Sequence, residues 1–96
     1  MNEFEKKKLK YELIDLYEGY LKNLADKEIM SKAQKLFFDY VYSAEILDRD
    51  LNDAVHGLEH IGWEYPRSTK TISEGSWKMK EDEAKKILEK LKKINL

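Results

Sequence analysis

The residues whose types and spacing best suit chemistry are His56-Gly57-Leu58-Glu59-His60. This run matches H-x-x-E-H, the inverted zinc-protease pattern. In that pattern two imidazoles one helical turn apart share a metal, and a carboxylate serves as base. Asp53, three residues before His56, adds a further oxygen donor. A catalytic zinc also needs a third ligand, second-shell support and a cleft for substrate. The apolar positions around the motif argue against such a site. At about 100° per residue, Leu51, Ala54, Val55, Leu58 and Ile61 fall on one core-facing stripe. His56, His60 and Asp53 then project toward water, and Glu59 points elsewhere. Solvated or partner-facing histidines are the expectation, with no metal and no other cofactor.

No other constellation proposes a reaction. The glycines are scattered at positions 19, 57, 62 and 75, so no loop cradles a phosphate. No Ser or Thr sits in a G-x-S-x-G context. Only Asp53-x-x-His56 approximates the E-x-x-H unit of a carboxylate-bridged bundle site, and it faces outward. Glu81-Asp82-Glu83 reads as a helix start rather than an acid/base pair. Cys is absent, which excludes disulfides, thiolate metal sites and cysteine catalysis. The chain is read as non-enzymatic.

The elements that must hold any site are helices. With 96 residues the chain has room for one core, and with one Pro and four Gly it has few helix breakers. From Asn2 to Ala25, Leu9, Leu13, Leu16, Tyr17, Tyr20 and Leu24 share a side, flanked by Ile14 and Leu21. That is the stripe of a core-facing amphipathic helix. Phe4 and Tyr11 lie on its outer face. Asp26 is a good N-cap for a second segment, whose stripe is Ile29, Ala33, Leu36, Phe37, Tyr40, Val41, Ala44 and Leu47. Asp50 to Ile61 follows, with Gly62 as its stop. Residues 26–61 can form one helix, because the two stripes are in phase, or two. A break near Asp48–Asp50 is slightly favoured, since Asp caps helices well and sits poorly inside them. Lys80 to Ile94 is a further helix, with the stripe Ala84, Ile87, Leu88, Leu91 and Ile94. Its acids come first and its lysines last, which complements the helix dipole.

Between these helices lies a different stretch, Gly62 to Met79, with the only Pro and two Gly. Thr69, Thr71 and Ile72 are β-branched, and Ser73-Glu74-Gly75-Ser76 reads as a turn. A short β-hairpin and a plain loop are both open readings. The fold class is therefore all-α: a single domain over 1–96, built as a compact three- or four-helix bundle with a loop or short hairpin before the C-terminal helix. No apolar run approaches the roughly 20 residues of a membrane span. The charged N-terminal stretch is unlike a secretory signal. A cytoplasmic, non-membrane location is expected.

The net charge of −1 hides a gradient. Residues 1–25 balance to zero, residues 26–64 carry −5, and residues 65–96 carry +4. The order of helices and possible hairpin resembles the winged-helix layout in outline, with Asp50 to Ile61 as recognition helix and Arg67 to Met79 as wing. Arg67, Lys70, Lys78 and Lys80 suit phosphate contacts in the basic 65–80 segment. Asp50, Asp53 and Glu59, with no Lys or Arg inside the segment from Asp50 to Ile61, do not suit a recognition helix. Nucleic-acid binding is possible but disfavoured.

A protein partner, or a second copy of the chain, is the favoured reading. Phe38, Tyr42 and Ile46 repeat at i, i+4, i+8 outside the main stripe. If residues 26–61 run on as one helix, these three share a face with Arg49, Asp53, His56 and His60. An aromatic patch grading into a charged rim is the anatomy of a protein interface. The competing reading buries the Phe38 line under the C-terminal helix and uses Trp77 as a core plug. The expected role is a small regulator or inhibitor that acts by binding.

Overall fold

Local sequence signals set the helix boundaries. In the computed structural model, residues 2–23, 26–42, 48–62 and 81–94 are described. Helix α1 spans Glu3–Lys22, and its N-cap Asn2 accepts the Glu5 N–H at 2.8 Å. Helix α2 spans Lys27–Tyr40 and is capped by Asp26, which accepts from Glu28 and Ile29. Helix α3 spans Arg49–Gly57, a single turn α4 covers Glu59–Gly62, and α5 covers Glu81–Lys93. The protein is an all-α bundle, and no strand occurs among the described residues.

The break favoured near Asp48 is present. Asp48 has extended backbone, and its carboxylate accepts the N–H groups of Asp50 at 2.9 Å and Leu51 at 3.2 Å. Those donors have no partner inside the helix, so the cap stabilises a new start there. The sequence reading of Asp50 to Ile61 as one helix needs correcting at its far end. The Leu58 N–H reaches back to Val55 O and the Ile61 N–H to Leu58 O, a three-residue spacing that tightens the chain and separates α3 from α4.

The core matches the stripes. Leu9, Leu13, Leu16, Tyr17 and Tyr20 of α1 are buried with Ala33 and Leu36 of α2. They meet Leu51, Ala54, Val55, Leu58 and Ile61, and Ala84, Leu88, Leu91 and Ile94 from the α5 side. Helix α1 packs on α5, α2 packs on α4, and α3 lies against α5. Helices α1 and α2 pack together near Gly19, where a Cβ would stand 2.7 Å from Ile29 Cδ1, a clash that the tip of the Ile29 side chain relieves by shifting.

Two polar groups are closed inside this packing. The Tyr17 hydroxyl donates to Ala54 O at 2.7 Å. That carbonyl is available because the Leu58 N–H has turned to Val55. The Lys10 ammonium, on a side chain only 8% exposed, donates to Ile94 O at 2.8 Å at the end of α5. A lysine there also complements the negative end of the helix dipole. Trp63, Trp77, Leu24, Ala44, Ile46, Leu47 and the 66–79 stretch considered for a hairpin lie outside the described residues.

Candidate protein-binding surface

Among the described residues, four large apolar side chains stand exposed: Phe4 at 77%, Tyr11 at 51%, Phe38 at 55% and Tyr42 at 87%. Phe38 lies in the last turn of α2, and Tyr42 follows just beyond it. Phe38 and Tyr42 are thus not buried under α5, unlike in the competing reading that places the C-terminal helix over this line. Helix α5 is committed to α1 and α3, which draw its apolar stripe to the other side of the bundle. Phe38 keeps an edge-to-face contact with its neighbour Phe37, with centroids 5.8 Å apart, while Phe37 turns toward the core.

The face drawn along one continuous helix from Phe38 to His60 does not form as such. Helix α2 ends at Tyr40 and α3 begins afresh at Arg49, because the Asp48 cap interrupts the helix. Ile46 is outside the described residues. The remaining residues divide into two groups, Phe38 and Tyr42 on α2, and Arg49, Asp53, His56 and His60 on α3 and α4. All four residues of the second group are exposed. Arg49 Nε approaches Asp53 Oδ2 at 3.9 Å, one turn along α3.

The histidine motif is rearranged by the step at Leu58. His56 ends α3 while Glu59 and His60 belong to α4. Asp53, His56, Glu59 and His60 nonetheless line a common surface groove of about 440 Å³, closed on its other side by Glu83, Lys86 and Lys90 of α5. Glu59 therefore lies with the histidines rather than apart from them. Among the described residues, no three His, Asp or Glu side chains converge as metal ligands would.

A second groove, of about 380 Å³, opens between α1 and α2. Leu16, Ile29 and Leu36 form its floor. Glu12 and Asp15 stand on the α1 wall, and Lys32, Lys35 and Asp39 on the α2 wall. The tight contact at Gly19 and Ile29 lies at one end of the seam. Tyr40 lies toward the other, where its phenol pKa is pushed up by burial first and then by the negative charges of Glu12, Asp39 and Glu5. Across the bundle, burial raises the Tyr17 phenol strongly, with Glu83 and Tyr20 adding to the shift. Burial and Glu83 raise Tyr20 in the same direction. These shifts favour the neutral phenols.

Sequence reasoning missed Lys10. Its spacing to Leu13, Ile14 and Tyr17 was the available signal, because positions three, four and seven residues on share its side of the helix. No helix among the described residues is long and apolar enough to cross a membrane. Comparisons with protein-family models, with curated proteins and with solved structures find no match to this chain.

Proposed function

We propose that this chain is a non-catalytic binding module, a small regulator or inhibitor that engages another protein through the C-terminal end of α2. The exposure of Phe38 and Tyr42 carries the reading. A small domain gains stability by burying its aromatics, so two more than half exposed at one helix end mark a surface with a use other than folding. Aromatic anchors surrounded by charge are the usual centre of a protein interface. Lys35 and Asp39 supply that charge here, and the exposed Asp53 of α3 and Glu59 of α4 extend it toward partners with a basic surface.

A photo-crosslinking residue placed at position 42 tests the reading in the native host. A discrete protein adduct is expected, and it should disappear when Phe38→Asp is added. Phe38→Asp should leave the helical circular dichroism intact. An adduct pattern indifferent to Phe38→Asp, or no adduct above that from a probe at Lys86, removes the reading.

A further inference from the structure

The outer side of α2 carries a pattern that complements itself. Glu28, Lys32, Lys35, Asp39 and Tyr42 recur at alternating spacings of four and three, the spacing of a helix-pairing seam. All five are exposed. Along the seam, charge changes from basic at Lys32 and Lys35 to acidic and aromatic at Asp39 and Tyr42. Glu28 and Lys32 form an ion pair at 3.7 Å within the helix. Lys35 and Asp39, although one turn apart, make no ion pair with each other or with any other described residue. Lysine preceding the acid is the weaker order for pairing inside one helix.

We infer that the partner for this face includes a second copy of the chain, docked as an antiparallel α2 pair about a two-fold axis. The inference rests on the binding role given above to the Phe38 and Tyr42 end of α2. A two-fold interface brings each residue against a partner reciprocally, so one favourable pair occurs twice. The register that sets Lys35 opposite Asp39 of the second copy also sets Lys32 opposite Tyr42. It thus forms two cross-chain ion pairs and two ammonium-on-phenol contacts at once. Phe38 then sits beside the axis, where its exposed ring meets the second copy. The acids of the α1 wall, Glu12 and Asp15, stand next to the seam and favour the approach of the partner's lysines. A parallel pairing would oppose Lys35 to Lys35 and Asp39 to Asp39, so charge selects the antiparallel arrangement.

The contact is one helix face wide. It belongs with the small, transient interfaces, and dimerisation is expected at concentrations of about 10 µM to 1 mM. Sedimentation velocity on the full chain at low salt measures it. Lys35→Asp and Asp39→Lys should each weaken self-association by about tenfold, since each replaces two attractions by two repulsions. An equimolar mixture of the two variants should recover a heterodimer, because every cross-chain pair is again of opposite sign. Added salt should weaken the wild-type dimer. A wild-type chain that stays monomeric at about 1 mM overturns the inference while leaving a position-42 adduct with a different protein intact. A dimer unaffected by either charge reversal, or variants that fail to associate when mixed, overturns this docking geometry.

Discussion

The side of the bundle where α1 meets α3 and α5 and the side where α1 meets α2 solve opposite problems. On the first, Tyr17 and Lys10 each carry a polar group into the interior, and each reaches a carbonyl that a helix end has left open, Ala54 O and Ile94 O. The surroundings are apolar and buried, including Leu13, Leu51 and Leu91. On the second side, acids and lysines line an open groove, Lys32 pairs along its own helix with Glu28, and the rings of Phe38 and Tyr42 are exposed. A closed seam with satisfied polar groups contributes stability. An open seam with solvent-exposed charges and rings contributes little to it and offers a binding surface instead.

Substitutions that separate folding from binding sharpen this contrast. The largest loss is expected on the closed side from Leu51→Ala. It removes most of a fully buried side chain from among α1 and α5 and should cost about 2–5 kcal/mol in urea unfolding. Tyr17→Phe follows, at about 1–3 kcal/mol, because it leaves Ala54 O buried without its donor. This variant also changes the pH dependence. Folding raises the Tyr17 pKa, so the neutral phenol is favoured in the folded state. The stabilisation is fully present below pH 10, the ordinary tyrosine value, and is lost as pH rises above it toward the folded-state value. Thermal melts of the wild type should therefore fall more steeply above pH 10 than those of Tyr17→Phe. The smallest change in stability is expected on the open side. Tyr42→Lys should stay within about 0.5 kcal/mol of the wild type while weakening self-association in sedimentation, because it sets a lysine opposite Lys32 of the second copy. A loss of stability from Tyr42→Lys as large as that from Tyr17→Phe would erase the distinction between the two sides.

Much of the fold was legible because helical faces are local. Leu9, Leu13, Leu16, Tyr17 and Tyr20 declare a buried side by spacing alone, and that side is buried. Asp26 and Asp48 were legible as caps for the same reason, since each bonds N–H groups two and three residues ahead. The candidate surface was legible only in part. Phe38 and Tyr42 stood out as a second apolar line, but spacing does not say whether another helix lies over them. The motif from His56 to His60 misled in one respect. A pattern that presumes a continuous helix does not reveal the tightened turn at Leu58.

The amino-acid sequence by itself determined the helix starts, the apolar stripes and the change of charge along the chain, because each depends on residues within a turn or two of one another. Tertiary structure alone decided which stripe met which. That choice closed Lys10 and Tyr17 against carbonyls 84 and 37 residues away, and it turned α5 away from Phe38. Such pairings depend on how whole faces compete to leave water, and no single segment carries that information.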